Sequence, residues 1–247
     1  MPEGHTLHRL AAAQTELVGR TLAVSSPQGR FGPAADLDRR RLDRVEAWGK
    51  HLLQVFDGAG TVHTHLGMRG ITLRSAPPSE PKPQVRLRLA TAEVAWDLIA
   101  PSVCELLDDD SVAGLLDRLG PDPLRPDADV DRVRAAFRAD DRPVGAVLLD
   151  QSVLAGVGNV FRAEALHLTG VHPRRPASAL DDATFDKLWA TLRSLMVDAV
   201  AAGSIVTRPP DGRYVYKQER CGTCAGPVVS FPLEGRIAYA CPVCQGT

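Results

Sequence analysis

Two closely spaced pairs of cysteines near the C-terminus constrain the fold of this chain more than any other feature of its sequence. Each pair has the spacing Cys-x2-Cys, and 16 residues separate the pairs, which consist of Cys221, Cys224, Cys241 and Cys244. Four thiolates at this spacing indicate one closed tetrahedral zinc site, and four unligated cysteines are a much less common outcome. We therefore predict one structural Zn2+ bound by these four residues.

The segment between the two cysteine pairs has the pattern of a β-hairpin. Residues 228–231 and 236–239 are rich in β-branched and aromatic side chains and flank a Leu-Glu-Gly turn. A closed four-cysteine site has no open position for a substrate, so the metal is expected to hold this hairpin at both ends. Residues 204–247 carry five basic and three acidic side chains, which makes this tail the basic part of the chain.

The composition is that of an ordinary globular protein. The chain has 247 residues, 44% of them hydrophobic and 24% charged, with a net charge of −1. It contains no apolar run near the ~18 residues of a membrane span and no signal-peptide pattern at its start, so we expect a cytoplasmic protein without a membrane partner. In that compartment the clustered cysteines favour metal over disulfides, while Cys104 stands alone.

The N-terminus begins Met1-Pro2-Glu3. Proline at position 2 normally permits removal of the initiator methionine, which leaves Pro2 as a free secondary amine. An α-amine titrates near pH ~8, so part of it is nucleophilic at neutral pH, and its attack on an aldehyde gives a cationic iminium ion. The alternative is that the Met-Pro start carries no function, and these residues alone favour that alternative.

Secondary-structure patterns divide the chain into three segments. A helix over residues 4–19 precedes a β-rich stretch from 21 to 98, where strands at 45–56 and 61–66 flank Asp57-Gly58 and further strands cover 85–89 and 94–98. Helices are predicted at 130–139, 143–149, 160–168 and 181–202, before the cysteine-rich tail. The prediction is an α+β multidomain fold with segments 1–123, 124–219 and 220–247.

Three further motifs have two interpretations each. The turn Gly156-Val157-Gly158-Asn159 has the backbone of a phosphate-binding site before a helix, but a turn between helices is the commoner case. Lys50 lies in a predicted strand, where a lysine usually faces solvent. Met68 lies in a glycine-flanked tip, and on pattern alone a core position is favoured over an exposed one.

Taken together, these motifs resemble the formamidopyrimidine-DNA glycosylase and endonuclease VIII (Fpg/Nei) family of base-excision repair enzymes. The resemblance covers nearly the whole chain, and its order and spacing are specific. The Pro-Glu-Gly start and the run from Leu149 to Asn159 lean toward the endonuclease VIII branch. The matching parts are Pro2-Glu3-Gly4, Gly49-Lys50, His65 to Met68, Asp150 to Asn159 and the four-cysteine finger.

The resemblance implies an architecture. Residues 1–123 are expected to form a catalytic domain with an N-terminal helix and a β-sandwich. Residues 124–219 are expected to form a helix–two-turns–helix DNA-binding domain, and residues 220–247 a β-hairpin zinc finger. The implied partner is damaged DNA, bound by a monomer in the bacterial cytoplasm or nucleoid.

The resemblance also implies an activity, which is that of a bifunctional DNA glycosylase and abasic-site lyase. Such enzymes flip the damaged nucleotide out of the duplex. Pro2 is expected to attack C1′ and form a Schiff base, with Glu3 as general acid or base, and β- and δ-elimination then remove the sugar. Lys50 and Arg236 are the other residues assigned to catalysis.

DNA contacts follow from the same resemblance. His65, Asn159 and Arg236 match phosphate-contacting positions, and Met68 would fill the space left by the flipped base. Lys217 replaces a glycine that is usual just before the finger and adds a positive charge on the presumed DNA face.

Two departures from the family bear on the substrate. The family commonly has Pro-Glu at positions 5 and 6, where this chain has His5-Thr6, so one active-site carboxylate is missing; His5 either substitutes for it or is a surface histidine. The segment Leu98 to Ser102 lacks an Arg-Arg-Phe-like motif that reads the base opposite the lesion. Oxidised pyrimidines are therefore the expected substrates. The alternatives are a formamidopyrimidine or 8-oxoguanine glycosylase and a lesion- or DNA-end-binding protein that has lost excision.

Overall fold

The structure, a computed structural model, describes residues 2–76, 78–210 and 212–246. The prediction that Met1 is removed lies outside the described residues. The chain divides after Arg118 into two compact units, and the division into segments ending at 123 and 219 stays a prediction. Among the described residues, no helix combines the length and hydropathy that are needed to cross a bilayer.

The described part of the first unit contains three α-helices, eight strands and one short 3-10 turn. In chain order the α-helices and strands are α1 (Gly4–Gln14), β1 (Ala23–Ser25), α2 (Ala34–Leu37), β2 (Leu42–Trp48), β3 (His51–Phe56), β4 (Gly60–His65), β5 (Ile71–Ser75), β6 (Val85–Ala90), β7 (Ala95–Ile99), β8 (Val103–Leu107) and α3 (Asp109–Asp117). The strands form two antiparallel four-stranded sheets, in the orders β1-β6-β7-β5 and β2-β3-β4-β8.

The two sheets share one hydrophobic core. Leu52 and Val62 enter it from one sheet, and Leu89 and Trp96 enter it from the other. Two sheets that bury their inner faces in a common core form a β-sandwich. The predicted sandwich is therefore confirmed.

Helix α1 packs against β2 and β3 and places Leu7 in the same core. The side-chain amide of Gln54 donates to Gln14 Oε1 over 2.7 Å, which joins the end of the helix to β3. The prediction of a helix reaching residue 19 was too long. The helix ends at Gln14, a short 3-10 turn follows over Thr15–Leu17, and Gly19 then turns the chain with a φ of +79°.

The predicted strand over residues 45–56 is wrong, because the structure has two strands there. Trp48 pairs with His51 across a tight turn made of Gly49 and Lys50. Gly49 has a φ of +57°, a left-handed conformation that glycine adopts without steric cost. Lys50 consequently lies at the tip of a hairpin rather than inside a strand.

Strand β8 and helix α3 lack a counterpart in the sequence prediction. The carboxylate of Asp108 accepts a hydrogen bond from the backbone N–H of Ser111 over 2.8 Å, which caps the first turn of α3. The helix packs against β4 and β8, on the outer side of the second sheet. This sheet therefore has one face in the sandwich core and the other partly covered by α3.

The second unit is helical and ends in a hairpin. Its elements are α4 (Val130–Arg138), α5 (Val144–Val147), α6 (Asn159–Thr169), α7 (Asp182–Ala202), β9 (Val229–Leu233), β10 (Arg236–Ala240) and α8 (Pro242–Gln245). These agree with the predicted helices and hairpin, except that the helix expected at 143–149 is a single turn. Asp129 and Asp181 cap α4 and α7 through their carboxylates.

Helix α6 is the centre of the second unit. Most of its residues are buried, and it packs against α5, α7, α8 and β10. The helix begins directly after the glycine turn that ends at Gly158, and it ends at Gly170, whose φ is +73°. A helix buried on nearly all sides must satisfy its polar side chains internally, which makes its two charged residues informative.

We predict that Gly70→Ala destabilises the first unit. The Gly70 N–H donates to the Leu66 carbonyl oxygen over 2.9 Å, and a Cβ on Gly70 would lie 2.4 Å from that same oxygen. Relief of this clash requires backbone movement, so the free energy of unfolding is expected to fall by ~2 kcal/mol in urea titrations. Gly32→Ala, whose Cβ meets no atom within 4 Å, is the matched control. Equal stability of the two variants would contradict the prediction.

Candidate functional site

Pro2 and Glu3 stand directly before the first helix. Glu3 is the residue preceding α1, has extended backbone angles (φ −125°, ψ −175°) and accepts at its carbonyl the N–H of Thr6 over 2.9 Å. Its side chain is only 1% exposed, whereas Pro2 is half-buried. The two residues therefore lie at the positive end of the helix dipole, which lowers the pKa of an amine and favours nearby anions.

His5 is a buried residue of α1, so the alternative of a surface histidine is wrong. Burial lowers the pKa of His5 to about 4, with smaller contributions from nearby positive charges such as that of Arg9. The imidazole is consequently neutral at pH 7. It does not supply the negative charge of the carboxylate that the family commonly has nearby.

His65 lies at the end of β4, opposite His51 of β3. Its Nδ1 accepts the N–H of Gly67 over 3.1 Å. Ser102 Oγ lies 2.9 Å from both the Nδ1 and the carbonyl oxygen of His65, and its single hydroxyl proton binds one of these two acceptors. Burial, then the charge of Lys50 at the adjacent hairpin tip, then that of His63, lower the pKa of His65. A neutral ring whose Nδ1 accepts a hydrogen bond carries its proton on Nε2, which is then available as a donor.

Met68 lies at the tip of the turn that follows β4. It is 71% exposed, so the interpretation of this residue as part of the core is wrong. An exposed, flexible apolar side chain of this size at a tip is available for insertion between bases.

In the second unit, Asn159 is the first residue of α6. Its side-chain amide donates to the carbonyl oxygen of Ile237 in β10 over 3.0 Å. Arg236 precedes Ile237 and begins β10, where it is exposed after the turn formed by Glu234 and Gly235. Asn159 thus contacts the strand that carries Arg236.

Arg162 strengthens the same contact, and the sequence analysis missed it. This side chain is 1% exposed and donates to the carbonyl oxygens of Ile237 (2.7 Å) and Gly145 (3.2 Å), as well as to Asn159 Oδ1. Its position one helical turn after Asn159, in a helix with mostly apolar residues, was the available signal. The backbone at the start of β10 is fixed by charge-assisted hydrogen bonds from α6.

Glu164, the second charged residue of α6, was also missed. It is 0% exposed, and its two carboxylate oxygens accept the N–H groups of Tyr214 (2.7 Å), Val215 (2.9 Å) and Tyr216 (2.7 Å). The hydroxyl of Thr207 also donates to it. One carboxylate therefore holds the segment that leads from α7 to the cysteine pairs.

Lys217 follows this anchored segment with an unusual backbone. Its φ is +55°, in the left-handed region that favours glycine, and its side chain is exposed, with Nζ 5.7 Å from the centre of the Tyr216 ring. The left-handed conformation gives a physical reason why a glycine is usual at this place in the family.

The four cysteines of the finger converge as the sequence predicts. The sulfur atoms of Cys221, Cys224, Cys241 and Cys244 all lie within 4.8 Å of one another. The Cys221–Cys244 and Cys224–Cys241 sulfur distances are 3.8 and 3.5 Å. Zn–S bonds of about 2.3 Å in a tetrahedron place sulfurs about 3.8 Å apart, so the donor set fits one such metal. Cys104 is in the other unit, where burial raises the pKa of its thiol to about 12.

Comparison with known proteins identifies the class. The formamidopyrimidine-DNA glycosylase N-terminal domain model matches residues 1–98, and the model of the H2TH domain of the same glycosylases matches residues 119–210. Together these cover most of the chain. The chain belongs to the formamidopyrimidine-DNA glycosylase and endonuclease VIII family, whose members are DNA glycosylases and abasic-site lyases of DNA repair.

Individual relatives place it nearer to the endonuclease VIII branch. The chain is 45% identical to "Endonuclease 8 1" of Mycobacterium tuberculosis, over 99% of this chain and 100% of the relative. It is 33% identical to "DNA-(apurinic or apyrimidinic site) lyase Nei2" of Mycolicibacterium smegmatis, over 99% of both chains. The chain is 29% identical to a formamidopyrimidine-DNA glycosylase of a Synechococcus strain, over 97% of this chain and 93% of the relative.

Solved structures agree on the fold. A Lactococcus lactis formamidopyrimidine-DNA glycosylase, in complex with DNA that contains N7-benzyl-Fapy-dG, superimposes with a TM-score of 0.84 over 100% of both chains. The same glycosylase in complex with abasic-site DNA superimposes with a TM-score of 0.84, over 99% of this chain and 100% of that structure. Sequence identity to these structures is 21% and 20%.

We predict that Glu164→Gln loosens the segment before the finger. A glutamine offers one acceptor oxygen in place of two, so buried N–H groups that now share the carboxylate lose partners. The free energy of unfolding of the second unit is expected to fall by ~3 kcal/mol, measured by urea titration. Hydrogen exchange should increase first at the amides of residues 214–216. Glu219→Gln, at an exposed position nearby, is the control, and equal exchange in both variants would refute the anchoring role.

Proposed function

We propose that this protein is a bifunctional DNA glycosylase and abasic-site lyase of base-excision repair, acting mainly on oxidised pyrimidines. The observation that carries the proposal is the position of Pro2 directly before the buried Glu3 at the head of α1. Removal of Met1 would turn the Pro2 nitrogen into an N-terminal amine next to this carboxylate. An amine in that place has a lowered pKa and is adjacent to an acid–base group. The names of the relatives support the same class of reaction.

The chemistry begins with the free amine of Pro2. Its nitrogen attacks C1′ of the damaged nucleotide, the base leaves, and Glu3 exchanges protons with the sugar as its ring opens. The iminium ion acidifies the C2′ proton, so β-elimination breaks the strand on the 3′ side. A second, δ-elimination then releases the sugar remnant and leaves a one-nucleotide gap.

Residues of the second sheet would bind the lesion phosphate and stabilise the opened duplex. Lys50 places an ammonium at the hairpin tip beside His65, and the Nε2–H of His65 is a neutral donor to a phosphate oxygen. Met68, exposed at the neighbouring tip, would occupy the gap left by the flipped nucleotide. This division gives each of the three residues a distinct contact with DNA.

In the second unit, Arg236 is the proposed phosphate clamp. Asn159 and Arg162 fix the backbone beside it, which reduces the conformational freedom that the guanidinium loses on binding. Lys217 adds a second cation on an exposed, left-handed turn. The protein would bind damaged DNA as a monomer, with an affinity that falls as salt increases.

One Zn2+ would be held by Cys221, Cys224, Cys241 and Cys244. The metal would supply folding free energy and no chemistry at the lesion, because all four coordination positions belong to the protein. Its function would be to fix both ends of the hairpin that begins β10.

A formamidopyrimidine or 8-oxoguanine glycosylase is the closest alternative. Strands β7 and β8 are joined by only three residues, Ala100 to Ser102, and Ser102 is hydrogen-bonded back to His65. Such a short, tied connection leaves little chain to reach an opposite base, which favours the endonuclease VIII type of substrate. Duplexes with an oxidised pyrimidine or with 8-oxoguanine opposite cytosine separate the two activities.

A lesion-binding protein without excision activity is the second alternative, because His5 is neutral where the family commonly places a carboxylate nearby. Schiff-base trapping decides this question.

We predict that borohydride reduction in the presence of abasic DNA links the processed protein covalently to the oligonucleotide. A form with a retained Met1 or an N-terminal tag is expected to bind DNA but not to be trapped. Normal cleavage by the blocked form would remove Pro2 from the mechanism.

We further predict that Arg236→Ala weakens DNA binding and lowers cleavage by about tenfold or more, since a charge-assisted phosphate clamp is worth ~1.5–3 kcal/mol. The zinc content, measured by atomic absorption, should remain one per chain because Arg236 contributes no sulfur ligand. Arg193→Ala, at an exposed position of α7 in the same unit, controls for the loss of one charge. Loss of zinc in the Arg236 variant would instead assign this residue to folding.

A further inference from the structure

Three histidines form a row on the outer face of the second sheet. His51 Nδ1 is 2.8 Å from His63 Nε2, and the two rings are nearly coplanar, with an interplanar angle of 24°. His63 Nδ1 is 2.9 Å from Glu105 Oε1. His65 packs its ring edge-on against His51, with the ring centres 5.1 Å apart.

Strand register produces this row. His51 is paired with His65 across β3 and β4, and His63 is paired with Glu105 across β4 and β8. Residues two apart on a strand face the same side, so His63 and His65 share a face, and their partners share it with them. No local sequence motif links the three strands, and the arrangement exists only in the folded sheet.

For an ionised Glu105 and neutral rings, the hydrogen bonds assign one tautomer to His63 and one to His51. An ionised Glu105 only accepts, so the His63 Nδ1–H donates to it and leaves His63 Nε2 as an acceptor. His51 then donates its Nδ1–H to that nitrogen, which leaves a lone pair on His51 Nε2. The chain of bonds therefore runs in one direction, from a basic nitrogen on His51 to a carboxylate on Glu105.

The two ends of this chain differ in their surroundings. The Glu105 side chain is half exposed, and a cavity of about 250 Å³, lined also by Ser111 and Arg118 of the α3 region, opens beside Glu105 and His63. A polar cavity of this size has room for several water molecules. His51, at the other end, is adjacent to Lys50 and His65, the residues proposed to bind the lesion phosphate. His63 between them is buried.

We propose that Glu105, His63 and His51 form a proton relay between solvent and the phosphate-binding edge of the sheet. The inference rests on the proposed lyase activity, which needs a proton removed from C2′ and a proton returned in a later step. The three residues act through their neighbours and are not assigned a contact with the substrate.

The relay conserves protons at every step. His51 Nε2 takes a proton from a group at the site, and the proton on His51 Nδ1 passes to His63 Nε2. The proton on His63 Nδ1 passes to Glu105, which becomes a carboxylic acid and releases it to water. A later step that requires a proton reverses each transfer and restores the starting tautomers.

The surroundings of His51 favour passing a proton along the row over holding an extra proton on His51. Burial, followed by the proximity of His63, His65, Lys50 and Arg118, lowers the pKa of His51 to about 3. An imidazolium is therefore not a stable state of His51 at pH 7. A shift of tautomers along the row moves one proton without creating that ion.

The test uses Glu105→Gln in the full-length, zinc-loaded protein. A glutamine oxygen still accepts the His63 N–H, so the geometry is kept, but an amide takes up no proton at neutral pH. The single-turnover rate of strand cleavage at an abasic site is expected to fall about tenfold, below the full effect of a direct acid–base group. DNA affinity, thermal stability and the yield of borohydride trapping should equal those of the wild type. Glu80→Gln, in an exposed loop of the same unit, is the control.

A second variant separates proton transfer from positioning. Glu105→Ala removes the carboxylate beside the cavity, and formate added to the buffer is expected to restore much of the cleavage rate. Unchanged cleavage by Glu105→Gln, equal losses of trapping and cleavage, or failure of formate to restore the alanine variant would each overturn the relay. Absence of trapping with the wild type would instead refute the proposed function.

Discussion

The second unit depends on two charges buried in one helix. Arg162 and Glu164 of α6 are shielded from water, and each is satisfied mainly by backbone groups of distant segments. An unpaired charge in such a place costs several kcal/mol, so the helix is stable only when β10 and the segment before the finger are in place. The same hydrogen bonds that stabilise α6 therefore fix the backbone beside Arg236 and Lys217, which are proposed to contact DNA.

This coupling explains why Arg236 is positioned from two sides. On one side, Asn159 and Arg162 hold the start of β10 by donating to the backbone carbonyl oxygen of Ile237. Every residue type has this group, so the contact does not depend on the side chain at position 237. On the other side the strand leads into Cys241, a predicted metal ligand. An exposed guanidinium loses up to ~2 kcal/mol of side-chain entropy on immobilisation. Because the backbone beside Arg236 is already fixed, binding does not add a backbone entropy cost to this loss.

What the sequence could predict was set by local spacing. Each of the signals used spans only a few residues: the cysteine pairs, the strand alternation and the helix periodicity. These signals are enough to predict the sulfur cluster and the order of a β-rich segment, a helical segment and a cysteine-rich tail. The Gly49-Lys50 turn was missed because the residues on both sides of it have a strand pattern, and Gly-Lys is not one of the Asn-Gly or Asp-Gly pairs that mark two-residue hairpin turns most strongly. The row of His51, His63 and Glu105 was beyond reach, since its members are 12 and 42 residues apart and meet only through strand register.

A metal bound by the four cysteines would stabilise the finger beyond what the buried residues of its hairpin contribute. Val229 and Ile237 of its strands are exposed, whereas Leu233, Ala238 and Ala240 are buried. Lys217, Ala225 and Glu234 adopt left-handed backbone angles, at a cost of about 1–2 kcal/mol each. Ala225 is held there by closure of the first cysteine turn, where its N–H bonds to the Cys221 carbonyl. A bound zinc contributes ~10–16 kcal/mol in such sites, which exceeds this strain. A zinc ion bound by the four cysteines would therefore add to the hydrogen bonds of Asn159 and Arg162 in fixing the backbone at Arg236.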